Sequence, residues 1–498
     1  MPRLFRALAT LGPILVLLAI SIPPIFAGVE RGRGYSDQVN YHERIIRAFS
    51  EQWPSPDLSD YPGVMTPLYH LLLAAAHRHV TADLAWLQLA ASVFGPLLVL
   101  IVSLAVGRKA RPALALAVVL PLACSMYVWD STTYLLPDNM AWAMTAGILG
   151  LVMTSRPCSP PRVALRLGLI GVVLALLIAT RQSGIWLAAA VWAWAFLGDD
   201  PDEQTLAGSL VTPRPRVART LAAIAATLPA FAVLGWFFSH WGGRFQPPMW
   251  DQWYARAWNA SAIPFVLALF SLYSAFFAGF WLPAAVAIVR RRPVLVAAAA
   301  AFTALAAAIP PSDYSIEMGR YGAIWSVADK FPIVGGRSFF MVGLSLLAGP
   351  ILLAWAAALP YRPRWIFLAV LAAFSATQLK NPYLYQRYAE PLLLILLPMA
   401  ASLIPHHGHR SLIPRDPALP AFGSPVANLA AGLATPLRYA GPIFLAIVLA
   451  LMGLQTMRTA VRPVILPEGS IGNPPRATPK APGPPPVSTG DVQPTLAR

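Results

Sequence analysis

The residues able to do chemistry gather in a few short polar stretches. Asp37 lies in "GYSDQVNYHER" (34–44), beside Tyr35, Tyr41 and His42. A carboxylate in such company is placed to take a proton from a hydroxyl, although a solvated loop acid reads the same way. Asp138 and Asn139 follow Pro137 in "VWDSTTYLLPDNMAW" (128–142), a pattern that also spells a helix N-cap. Arg181 and Gln182 occupy a very short turn, "IATRQSGIW". A guanidinium fork there matches phosphate oxygens, while an arginine at a helix end also snorkels to water. "HWGGRFQPPMWDQWYARAW" (240–258) carries Trp250 among several tryptophans, as a stacking platform or an interfacial belt. Arg320 and Lys330 belong to "DYSIEMGRYGAIWSVADKFP". Lys380, Arg387, Tyr388 and Glu390 belong to "LKNPYLYQRYAEPLLLILLP". Glu390 suits a helix N-terminus, so Arg387 reads equally as its partner or as a ligand for an anion.

The elements that position these groups are apolar. The chain has 498 residues, 57% hydrophobic and only 12% charged, against roughly 25% charged in soluble domains. Apolar runs near the membrane-spanning length recur throughout. They predict about 13 helices, at roughly 8–28, 83–106, 113–128, 138–154, 163–180, 184–198, 219–239, 262–289, 293–310, 337–359, 364–379, 390–405 and 440–457. The expected class is an all-α polytopic membrane protein spanning 1–457, with an uncleaved first helix. A Pro-rich tail over 458–498 has too few apolar residues to fold.

The net charge of +16 resides in short clusters between apolar runs, such as "GRKAR", "TPRPRVAR" and "RRRP". That is the pattern of cytoplasmic loops, not of a nucleic-acid surface. It puts the N-terminus inside and the C-terminus outside. The polar stretches above then share the outer face, the longest being loop 29–82. Within that loop Val39, Ile45, Ile46 and Phe49 recur at helical spacing, which predicts a helix lying in the interface. Cys124 and Cys158 give neither a disulfide framework nor a metal spacing. "HHGH" (406–409) and "GDDPDE" (198–203) read as solvated cytoplasmic loops. No Gly-rich phosphate loop is present, which argues against a nucleotide substrate, and no cofactor is expected.

Four stretches in order resemble one family. "YSDQVNYHERIIRAFSEQW" with "TPLYHLL", "WDSTTYLLPDNMAW", "ATRQSGIW" and "QLKNPYLYQRYAEPLL" are similar to segments of the GT-C membrane glycosyltransferases. Within these the chain is most similar to the dolichyl-phosphate-glucose-dependent alpha-1,2-glucosyltransferases, and "EMGRYGAIW" is a looser match. The resemblance implies a GT-C fold and transfer of a hexose, glucose by this likeness, with one inversion. The donor would be a polyprenyl-phosphate sugar and the acceptor a hydroxyl of a lipid-linked or cell-surface glycan. Asp37 would be the catalytic base. Arg181, Gln182, Arg320, Arg387 and Lys380 would hold the donor phosphate. Tyr35, His42, Asp138, Trp250 and Tyr388 would contact acceptor or sugar. The family's first loop usually has an Asp-Glu pair, and here Gln38 follows Asp37. A divalent cation prefers several oxygen ligands, so a base acting without metal is expected.

High Ala, Pro and Arg content and short loops have a bacterial look. An undecaprenyl-type carrier and a cytoplasmic membrane with the site facing outward are expected. A mannosyl- or arabinosyltransferase of the same fold is the nearest alternative. A lipid or solute transporter is the rival of another class; it predicts paired charges near the bilayer midplane.

Overall fold

The computed structural model describes residues 2–154, 159–198, 213–251, 258–316, 318–320, 322–404 and 425–458. Cys158, residues 199–203, the 406–409 histidine cluster and the tail beyond Arg458 lie outside the described residues, as do Trp253, Glu317 and Tyr321. The rest is almost wholly helical. Among the described residues the one sheet is a two-stranded antiparallel ribbon, Ile333–Val334 with Arg337–Ser338.

Each predicted apolar run coincides with a helix, and six are long and apolar enough to cross a membrane. These are Leu4–Phe26, Leu84–Gly107, Pro160–Thr180, Arg216–His240, Phe339–Ala358 and Gly432–Thr456. Two predicted runs are broken. The 113–128 run is Pro112–Cys124 followed by Met126–Thr133, bent by 62°, and the 262–289 run is Ala262–Phe276 followed by Ala278–Arg291, bent by 104°. Counting each bent pair as one span gives up to eight. Helices at 182–197, 293–308 and 390–403 are apolar but shorter. The architecture is that of an all-α, multi-pass membrane protein.

The outward side chains support this. Leu4, Phe5, Leu8, Leu11 and Leu15 on the first helix are all exposed over about half their surface or more. A helix apolar on every side with one side unpacked belongs in lipid. The helices meet through small residues, as membrane helices do. A Cβ on Gly441 would sit 2.1 Å from the Phe276 carbonyl oxygen, and one on Gly279 would sit 2.4 Å from the Arg438 amide. The last helix is therefore pressed against the 104° bend.

The loop 29–82, expected to be outer, is largely helical, but its apolar face is turned into protein and not toward lipid. Ile45 and Phe49 pack with Tyr61, Ala74, Phe237 and Trp241. Ile46 packs with Tyr69, Leu73, Leu135 and Met140. This seats the loop across one end of the 126–133, 138–153 and 213–240 helices.

Candidate functional site

Gly32–Asp37, Gln38–His42 and Glu43–Glu51 form one helical run whose middle turn is a π-turn. π-turns are rare and concentrate at functional sites. This one widens the helix so that Gln38, Asn40 and His42 are all buried. Asp37 sits at its entrance. The Gly34 side of the run lies flat on the helix Met126–Thr133: a Cβ there would be 2.6 Å from the Tyr134 ring and 3.0 Å from Asp130 Cβ.

Two ion pairs define the site. Arg387 Nη1 donates to Asp37 Oδ2, and Arg181 Nη1 donates to Asp138 Oδ1. All four side chains keep about a fifth or less of their surface exposed. Tyr388 joins the pairs. Its ring lies under both guanidinium groups, 4.7 Å from Arg181 Cζ and 5.0 Å from Arg387 Cζ. Its hydroxyl accepts from Arg387 Nη2 at 3.1 Å. Arg387 thus pairs with Asp37 across the protein, and the reading that gave it to Glu390 is replaced. Asp138 is likewise no N-cap: that position is Pro137, and Asp138 faces Arg181 from the first turn of its helix. Its neighbour Asn139 is a structural tie, donating to the Val128 carbonyl and the Thr132 hydroxyl, both at 2.9 Å.

Burial works against the charge on Arg387, but Asp37, Tyr388 and Asp138 more than offset it. Burial is offset in the same way at Arg181 by Asp138 and Tyr388. Both stay cationic. His42 behaves oppositely. Burial lowers its pKa to about 4, and the opposing pull of Asp37 and Asp138 is itself countered by Arg387 and Arg181. Its Nδ1 lies 2.9 Å from Nε2 of buried His70, so a neutral imidazole pair backs the ion pairs.

The turn that carries Arg387 is clamped from beneath. Glu390 is 1% exposed and accepts from Ser125 Oγ at 2.6 Å, Gln386 Nε2 at 2.7 Å and the Tyr273 hydroxyl. Gln386 also accepts from the Ile324 amide at 3.3 Å. The break at Ser125 frees its hydroxyl to reach this network.

Several predicted phosphate ligands are engaged elsewhere. Gln182 donates to the Val64 and Phe245 carbonyls, both at 2.8 Å, and accepts from the Thr66 amide at 3.1 Å. It ties loop 29–82 to the 240–251 segment. Arg320 donates to the Asp313 carbonyl at 2.9 Å and to its carboxylate at 2.7 Å. Its loop supports the Arg387 segment through Gly319, whose carbonyl accepts from the Leu384 amide at 3.0 Å. Lys380 is exposed, with its ammonium 4.5 Å from the Trp258 ring centre. Trp250 packs at a tilt against Tyr41, with ring centres 5.9 Å apart, and Tyr35 packs on Tyr134 at 6.1 Å.

Gln38 is completely buried. Its Oε1 accepts from Gln88 Nε2 at 2.9 Å and from the Leu135 amide at 3.1 Å, while its Nε2 donates to Glu43 at 3.3 Å. An amide suits this position because its oxygen accepts while its nitrogen donates, whereas a carboxylate could only accept. Among the described residues no group of three or more His, Cys, Asp or Glu is arranged to hold a metal ion.

Sequence reasoning passed over Asp130 and Trp142. Both line a narrow crevice with Tyr127, Asp138 and Arg387. Asp130 stands in the stretch already singled out for Asp138, and that proximity was the available signal. The Trp142 Nε1 and Arg387 Nε donors are buried without a hydrogen-bond partner, and two unused N–H groups beside a crevice suit an oxygen-rich anion. The crevice, about 10 Å³, has room for no more than a water.

Fold and site together define an all-α, multi-pass membrane protein with two cross-linked ion pairs at one end of its helices. No family model, no curated protein and no solved structure matches the chain.

Proposed function

We propose that the protein is an inverting, GT-C-type membrane glycosyltransferase that moves a hexose from a polyprenyl-phosphate sugar to a glycan hydroxyl on the outer face. The observation that carries this reading is the Arg181–Tyr388–Arg387 bridge with a carboxylate on each arginine. The two cations come from separate turns, so a fold that brings them together has overcome their repulsion.

The ion pairs sit at helix ends: Arg181 caps the helix Pro160–Thr180, Asp138 opens the helix Asp138–Met153, and Arg387 precedes the helix Glu390–Leu403. The transporter reading predicts charges at mid-helix, so this placement favours the enzyme.

The crevice is too small to admit a phosphate beside the carboxylates. The donor phosphate therefore displaces them, exchanging one oxyanion for another on the same guanidinium groups. Asp37, released by Arg387, accepts the proton of the acceptor hydroxyl. That oxygen forms its bond to the anomeric carbon as the bond to the phosphate oxygen breaks on the opposite face. The electron pair leaves with the polyprenyl phosphate, whose charge Arg181 and Arg387 neutralise. Preorganised cations of this kind are commonly the largest catalytic term. About 13 crossings, an undecaprenyl-type carrier and glucose as the hexose are the finer points of the same reading.

The test is transfer by purified protein offered a panel of polyprenyl-phosphate sugars. Release of polyprenyl phosphate with glycosylation of an acceptor is expected. Folded protein that transfers from none of them would overturn the proposal.

A further inference from the structure

A second polar cavity lies at the far end of the same helices. It has a volume of about 730 Å³ and is bordered by Arg6, Arg108, Lys109 and Arg166, with no acidic residue among the described residues of its lining. Thr154, which ends the helix that Asp138 begins, is part of its wall. At 1.5 Å per residue the two ends are about 24 Å apart. The cavity is therefore separate from the ion pairs, and nothing about it depends on the proposed reaction.

Basic residues at helix ends are expected on one side of any membrane protein. That rule does not account for the space they enclose or for what lies beneath them. Gly107, Gly150, Ala9 and Ala115 leave the volume open by having little or no side chain. Ser103, 2% exposed, lines the interior, and its hydroxyl has no partner. A buried hydroxyl in that state is open to a hydrogen bond with an occupant of the cavity. The basic lining, with Arg6 and Arg108 at exposed positions, favours an anion. Leu104, 46% exposed, stands at the wall, and the first helix continues outward as exposed Leu4, Phe5, Leu8 and Leu11. The polar cavity thus borders an apolar track on the first helix.

We propose that this cavity binds the phosphate headgroup of an acidic membrane lipid, with the acyl chains along the first helix and the Ser103 hydroxyl hydrogen-bonded to the headgroup. Basic pockets between membrane helices hold anionic headgroups by the same physics.

The experiment uses the purified full chain in detergent, read by native mass spectrometry and by thermal unfolding. The probes are phosphatidylglycerol, phosphatidylcholine and inorganic phosphate. Phosphatidylglycerol is expected to be retained and to raise Tm, while the other two do neither. Arg108→Gln with Lys109→Gln, at exposed positions where folding is preserved, should weaken retention about 30-fold, near fivefold per cation. Ser103→Ala should weaken it several-fold. Arg290→Gln with Arg291→Gln, basic but outside the cavity, should leave it unchanged. Equal retention of phosphatidylcholine, an equal Tm rise with inorganic phosphate, or equal loss in the Arg290/Arg291 variant would each overturn the assignment.

Discussion

Asp37 and Arg387 lie 350 residues apart in sequence and form one ion pair. Through Tyr388 that pair is coupled to a second, Asp138 with Arg181. The carboxylates keep two arginines cationic and in place before any ligand arrives. In the proposed reaction an arriving phosphate would exchange with an existing partner and would not have to order two long side chains by itself, which would lower the entropic cost of binding.

Adjacent residues Arg181 and Gln182 should respond differently to truncation. Arg181→Ala removes a cation from the bridge and is expected to weaken donor binding at least tenfold. Gln182→Ala removes three hydrogen bonds to backbone and should lower stability by about 1–3 kcal/mol, with less effect on affinity. Donor titration and thermal unfolding of both variants separate the two roles.

Gln38→Glu tests why an amide follows Asp37. A carboxylate there would face Glu43 from a fully buried position and could not donate to it. Destabilisation by about 2–4 kcal/mol is expected, without any requirement for a divalent cation. Chemical denaturation and transfer assays with and without Mg²⁺ check both parts.

Stability should fall in acid because of the buried histidines. Burial depresses His42 to about 4 and His70 well below 6.5. The unfolded chain therefore binds protons before the folded one does. The contribution is fully present above pH 6.5 and is lost as pH falls through the folded value near 4. Tm should decline across that window, and His42→Gln with His70→Gln should flatten the decline.

Gly34→Ala should damage the site through crowding. Its Cβ would come within 2.6 Å of the Tyr134 ring and 3.1 Å of Asp130 Cγ. Tyr134 is fixed by its hydroxyl, which donates to the Arg31 carbonyl at 2.7 Å, so Asp130 and the Asp37 helix must shift. A loss of about 1–3 kcal/mol is expected, together with reduced turnover. Unfolding and kinetics of the variant measure these.

The helices were legible because apolar runs of spanning length leave few alternatives. The breaks were not. Nothing local marks Ser125, whose hydroxyl is drawn to Glu390 from a distant helix. The bend before Gly279 follows from its close approach to Arg438. The π-turn was hidden for a similar reason: Gln38, Asn40 and His42 are buried two residues apart, a spacing no α-helical pattern contains. The charged stretches were expected on one face, yet their partners could not be chosen from sequence. Arg387 and Glu390, three residues apart, look like a local pair. Only the tertiary structure supplies Glu390 with three neutral donors and Arg387 with Asp37.

The most direct measurement is donor binding and polyprenyl-phosphate release by wild type and Asp37→Asn under the same conditions. The asparagine keeps the shape of the side chain and removes the base. Donor affinity within a few-fold of wild type and release slower by about 10²–10⁴-fold are predicted. Comparable release by the Asp37→Asn protein would contradict the account.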